Sequence, residues 1–142
     1  DPLWERIGAA WNTALPLKED LALQMNTIRY TEFVVNLGSS MVFDYAAHNK
    51  PCCYINYNLE NSRFRNWVKK VYNYIHFRSM PDPKSVFWLN SREELPSIFK
   101  AILSGNNESV PYAKRWFEII NAHPPATASE RIWESISGIL KL

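Results

Sequence analysis

The sequence predicts an α/β fold: a three-layer, Rossmann-like parallel sheet of three or four strands, with helices on both faces and a helical C-terminal tail. Three observations predict it. Short apolar runs recur at 33–37 (FVVNL), 52–57 (CCYINY) and 85–89 (SVFWL). Each is followed by a stretch with apolar residues at helical spacing, and Gly38, Pro51 and the Pro81-Asp82-Pro83 turn mark the changeovers. Strands that alternate with helices in this way lie parallel and are joined by right-handed crossovers.

Each element has its own justification. Residues 1–16 offer a weak fourth strand near Thr13-Ala14-Leu15; failing that, the sheet is the latter half of a larger doubly wound domain. A helix over 3–11 would place Trp4 and Trp11 on one face. From Leu17 to Thr31, Leu17, Leu21, Gln24, Met25 and Ile28 fall at helical spacing behind Pro16, a natural helix start. Phe33 to Leu37 is nearly continuous in apolar residues, the pattern of a strand buried on both faces. Ser39 to Asn49 reads as a helix whose inner side carries Met41, Val42, Tyr45 and Ala46. Cys52 to Tyr57 is a second strand, and Phe64 to Phe77 an aromatic helix with Trp67, Val68, Val71 and Tyr74 on its stripe. Ser85 to Leu89 is the third strand. Ser91 and Glu94 have capping-box spacing, and the helix they open ends at Gly105. Helices at 112–122 and 128–140 complete the chain, with Ser129 as the cap of the last. Trp67, Trp88, Trp116 and Trp133 all fall on apolar stripes, so the expectation for each is core packing.

Composition narrows the function classes. The 142 residues are 46% apolar, enough for one domain with its own core. Sixteen Lys and Arg against fourteen Asp and Glu leave a charge of +2, mixed along the chain, so nucleic acid is not expected as a partner. No run reaches the roughly 18 apolar residues of a membrane span, and the first residues lack a signal pattern; the expected location is the cytoplasm. The two cysteines, Cys52 and Cys53, are adjacent, a spacing that strains a disulfide, so buried free thiols are expected. No His or Cys pair has metal-ligand spacing, and neither a metal nor a cofactor is expected. The chain begins in mid-pattern, which suggests a piece of a longer protein.

The functional candidates gather where the first strand ends. Gly38-Ser39-Ser40 falls at the carboxyl edge of the sheet, where open α/β sheets bind ligands. A helix start there offers unpaired amides and a partial positive charge to a diphosphate. Gly38 would let a ligand approach, Ser39 and Ser40 would add hydroxyls, and Met41 completes the helix start. Asp44, one turn on, would accept from two ribose hydroxyls. The same residues are also ordinary turn and capping chemistry, with Asp44 complementing the dipole; spacing alone leaves both open. His76 and Arg78 form a second candidate, Arg78 as a bidentate phosphate ligand or as a solvated arginine. A Ser-His-Asp hydrolase is disfavoured because Ser40 stands in no GxSxG elbow.

The run FVVNLGSSMVFDYAAHNKPCCYINYN resembles the nucleotide-binding segment of the C-terminal domain in two-domain, GT-B type glycosyltransferases. It is most similar to the glycerophosphate and teichoic-acid polymerases that use CDP-glycerol, through Ser39-Ser40, Phe43-Asp44-Tyr45 and Lys50-Pro51. Bacterial capsule and lipopolysaccharide sugar transferases carry a similar segment, and SREELPSIFKAIL resembles the helix after their last strand. Asn36 and Leu37 depart from the Asp-Tyr of the polymerases. The resemblance implies that residues 1–142 are most of the donor-binding half of a transferase. Gly38, Ser39, Ser40, Met41, Asp44, His76 and Arg78 would bind a nucleotide-diphosphate sugar, UDP before CDP. A preceding N-terminal domain would carry the acceptor site and the catalytic base, with the parent protein at the inner face of the membrane. By itself the chain would bind nucleotide weakly and turn nothing over. Lys50-Pro51 would shape the turn into the next strand, a structural role. The rival from another class is an α/β module whose aromatic helices bind a protein partner.

Overall fold

The computed structural model describes residues 4–10, 13–58, 66–121 and 124–140. At the N-terminus, β1 (Glu5–Arg6) and β2 (Ala14–Leu15) pair antiparallel. Residues 13–15 therefore do not add a fourth strand to the parallel sheet, and 5–10 are not helical. The local cause is a tight turn: Thr13 Oγ1 donates to the Ala10 carbonyl at 2.6 Å and the Ile7 N–H to the Thr13 carbonyl at 2.9 Å. Trp11 and Leu3 of the expected helix lie outside the described residues.

Helix α1 (Lys18–Tyr30) starts where the Asp20 carboxylate accepts the Leu17 N–H at 3.0 Å, so an acid in the first turn satisfies a free amide. Ile28 is buried, but Leu21 and Met25, expected on the inner stripe, are about half exposed. Strands β3 (Val34–Asn36), β4 (Cys52–Ile55) and β5 (Phe87–Leu89) then form one parallel sheet in chain order. Val34 stands beside Cys52, and Tyr54 beside Trp88. The fold is mixed α/β with a three-stranded parallel sheet. β3 is only half-buried rather than covered on both faces, because it is an edge strand. Cys52 and Cys53 in central β4 are 2% and 0% exposed. Successive side chains in a strand point to opposite faces, so both faces of β4 are covered.

Helix α2 (Met41–Ala47) follows β3 and buries Val42, Tyr45 and Ala46. The expected aromatic helix is broken into α3 (Trp67–Tyr72) and α4 (Ile75–Arg78). Val68 and Val71 are buried, whereas Trp67 and Tyr74 are exposed. Helix α5 (Leu95–Leu103) ends at Gly105, whose φ of +93° permits the reversal in which the Asn106 N–H reaches the Ala101 carbonyl at 3.1 Å. The capping box does not form: Ser91 makes no side-chain cap bond, and Glu94 accepts the Asn90 N–H at 2.8 Å rather than that of Ser91. Helix α6 (Val110–Ile120) carries fully buried Trp116, which donates to Ser79 Oγ at 2.9 Å and meets Phe43 edge-on at 4.8 Å. Helix α7 (Ala128–Leu140) forms the C-terminal tail. A 3-10 turn over 125–127 leads into it, so Ser129 lies inside the helix and does not cap it. No residue of α7 is buried and Trp133 is 63% exposed, against the core packing expected of it. Among the described residues no helix is long and apolar enough to cross a membrane.

The main core joins Val42, Ala46, Cys52, Tyr54, Val71, Phe77, Val86, Ala113 and Trp116. Both cysteines are free and buried. Burial pushes the Cys53 thiol up to about 11 and the Cys52, Tyr54 and Tyr72 groups well above their ordinary values. An unfolded thiol ionises near 9.0, so above that pH the unfolded chain sheds protons that the folded one keeps. Stability should be flat from neutral pH to about 8.5 and fall as pH rises from about 9 towards 11. Melting temperatures across that range test this, and a Cys53→Ala variant should fall less steeply; equal slopes would remove the Cys53 thiol as a cause.

Candidate functional site

The β3–α2 turn is built tightly. Gly38 has φ +58°, and a Cβ there would lie 2.5 Å from Val71 Cγ1 and 3.2 Å from the Phe77 ring. The space beside its Cα, expected to admit a ligand, is filled by α3 and α4. Glycine is required here by backbone conformation and by packing. Ser39 Oγ accepts the Met41 N–H at 3.2 Å, and the Ser39 carbonyl accepts the Tyr54 hydroxyl at 2.7 Å. The Val42 and Phe43 N–H groups are taken by the Ser39 and Ser40 carbonyls at 3.3 and 3.0 Å. Three amides at the mouth of α2 are thus already partnered within the turn. Ser40, by contrast, is exposed and its hydroxyl caps nothing, which leaves it available to a ligand. Asp44 is half-buried one turn further in.

The open space at the carboxyl edge lies further along the sheet. Asn56 and Asn90 stand one residue past β4 and β5, and Asn56 Nδ2 donates to Asn90 Oδ1 at 2.8 Å. With Lys69, Tyr72, Asn73 and Trp88 they line a cleft of about 540 Å³. Tyr72 and Trp88 meet edge to face at 5.1 Å. Their polar atoms are spent inward: the Tyr72 hydroxyl donates to the Ile55 carbonyl at 2.7 Å, and the Trp88 indole N–H to the Pro83 carbonyl at 2.8 Å. The rings therefore offer apolar surface, while the asparagines and Lys69 supply the polar contacts. Tyr72 also faces the Gly38 amide, which makes the cleft adjacent to the β3–α2 turn.

The chain matches no family model, no curated protein and no solved structure.

The sequence-derived candidates divide into separate groups. Gly38, Ser39, Ser40 and Asp44 share the turn and the start of α2. Met41 faces another hollow, of about 470 Å³, lined by Trp4, Pro16, Leu23 and Thr27 among others. His76 and Arg78 are exposed on α4; His76 stacks near-parallel on Tyr74 at 6.1 Å. Neither lines the carboxyl-edge cleft. Among the described residues no group of three or more His, Cys, Asp or Glu is placed to hold a metal ion. Lys50 has a structural place: its ammonium donates to the Ile28, Arg29 and Thr31 carbonyls at 2.7, 2.8 and 2.7 Å. It holds the end of α1 more than the turn into β4.

The cleft residues Asn56, Lys69, Tyr72, Asn73, Trp88 and Asn90 were not singled out as ligand-binding from sequence. A signal was present for two of them, since a polar residue directly after a parallel strand sits at the carboxyl edge. Lys69, Tyr72 and Asn73 carry no such signal, because the turn-and-a-half helix that presents them reaches the edge only through tertiary packing.

Proposed function

We propose that this domain binds the nucleotide-diphosphate sugar donor of a GT-B type glycosyltransferase acting in surface-polysaccharide synthesis. UDP is favoured over CDP, and transfer of glycerophosphate from CDP-glycerol is the alternative reaction. The observation that carries the reading is the cleft at the carboxyl edge of a parallel sheet, beside a Ser-Ser turn with one uncommitted hydroxyl. That edge is where three-layer α/β domains take nucleotides. Ser40 would donate to a phosphate oxygen, and Asp44 would accept from ribose hydroxyls. The acceptor and the catalytic base would belong to an N-terminal domain in the cytoplasm, near the membrane. The chain's share in catalysis is positioning and stabilisation of the departing diphosphate.

Titration with UDP, CDP and GDP, followed by amide shifts, tests the assignment. Millimolar binding with shifts confined to 38–44 and the cleft is the expected result; silence towards all three nucleotides sinks it. In the Ser40→Ala/Asp44→Ala variant the dissociation constant should rise roughly tenfold while stability changes by less than about 1 kcal/mol. A large loss of stability would show that the pair is structural.

A second reading, a protein-interaction module, is favoured by one observation. Helix α7 leaves Ile132, Trp133, Ile136, Ile139 and Leu140 between 40% and 80% exposed, an apolar face wide enough for a partner. A silent nucleotide titration together with loss of a partner on Trp133→Ser would support it.

A further inference from the structure

The polar and apolar halves of the carboxyl-edge cleft are separated in a way that limits what fits. It is lined by two aromatic rings, at 81° to each other, whose N–H and O–H are committed to backbone carbonyls at 2.8 and 2.7 Å. A ligand meets only their carbon surface, which suits the C–H face of a saturated sugar ring. Three asparagines line it as well. An amide side chain both donates and accepts. Asn56 and Asn90 hold each other through a single bond of 2.8 Å, and Asn90 is steadied from behind by Glu94, which accepts its N–H at 2.8 Å. Asn56 and Asn73 line the cleft, and among the described residues the Asn56 Oδ1 and the Asn73 side-chain amide have no partner. Donors and acceptors beside carbon surface match vicinal hydroxyls on a ring.

Charge supplies the remaining constraint. Among the described residues the lining holds one cation, Lys69, and no carboxylate, because Glu94 is turned to the Asn90 backbone. Lys69 is exposed, so beside a neutral sugar water solvates it, whereas a ring bearing one anionic substituent would pair with it.

We propose that this cleft takes a sugar ring that bears a single anionic group, a carboxylate or a phosphate ester. The ring packs against the carbon surface of Trp88 and Tyr72, its hydroxyls meet Asn56 and Asn73, and the anion meets Lys69. The inference rests on the reading of this edge as the donor site and names the class of sugar seated there.

The test is a titration of the full chain with glucuronate, glucose 6-phosphate, glucose and inorganic phosphate, read on the Trp88 indole N–H and the asparagine side-chain resonances. Either charged sugar should bind at least about fivefold more tightly than glucose, and Lys69→Met should erase that difference. Whichever of the two binds better identifies the anion as carboxylate or phosphate. Equal binding of glucose, phosphate alone binding as well as the sugars, or no binding of either charged sugar would each overturn the inference. Asn56→Ala should weaken charged and neutral sugars alike; an unchanged affinity would count against the asparagine contacts. UDP in the same samples keeps the two readings apart. Nucleotide bound with both charged sugars silent removes this inference alone, and the reverse removes only the nucleotide assignment.

Discussion

Gly38→Ala should lower the stability of the domain by roughly 2–4 kcal/mol, read as a shift in the denaturation midpoint. Two causes add. The residue has φ +58°, and an L side chain pays about 1 kcal/mol to adopt that conformation. The new Cβ would also lie 2.5 Å from Val71 Cγ1, far inside contact distance, in a core where Val71 is 6% exposed and cannot swing aside. Separating the two is direct. Adding Val71→Ala to Gly38→Ala should recover part of the steric loss, so the double variant should be more stable than the sum of the singles predicts. Strict additivity, or a cost for the single substitution below about 1 kcal/mol, would mean that the turn does not pack on α3 as described. The result matters for function because it decides whether Gly38 serves the ligand or the fold.

Lys50→Met should cost about 2–3 kcal/mol, roughly 6–10 °C in melting temperature for a domain of this size. One ammonium satisfies three carbonyls, of Ile28, Arg29 and Thr31, at 2.7 to 2.8 Å. Bonds from a charged donor are stronger than neutral ones, and the negative end of the α1 dipole adds to them. Methionine keeps the length of the aliphatic stem and removes the three donors together. Since α1 buries little besides Ile28, the substitution should also raise amide exchange in the last turn of α1 before it affects the sheet. A change smaller than about 0.5 kcal/mol would show that water replaces the ammonium at no cost.

How far the sequence could be read differs by element. The three parallel strands were legible because each is an apolar run with a glycine or proline boundary, and the last helix because its amphipathic period is long and regular. The aromatic helix was misjudged as continuous: a helical spacing of Trp67, Val71 and Tyr74 persists through the break at 73–74, so periodicity did not register it. The same ambiguity hid the fate of the tryptophans. Trp116 and Trp133 both sit on apolar stripes, yet the first is 0% and the second 63% exposed, because only the stripe of α6 faces another layer.

The site shows the same division. Local order carried the position of Gly38, Ser39, Ser40 and Asp44, since a strand, a turn and a helix start are near neighbours in the chain. Local order could not say that Val71 and Phe77 close over Gly38, nor that Asn56, Lys69 and Asn90 meet across a cleft. By itself, then, the amino-acid order determined the α/β class, the parallel strands, the buried thiols and the turn with its hydroxyls, all consequences of hydrophobic pattern and backbone preference within a few residues. Tertiary structure alone decided which part of the carboxyl edge is filled and which is open. Filling a corner depends on the volumes of side chains from distant segments that arrive at one point, and no spacing along the chain encodes that.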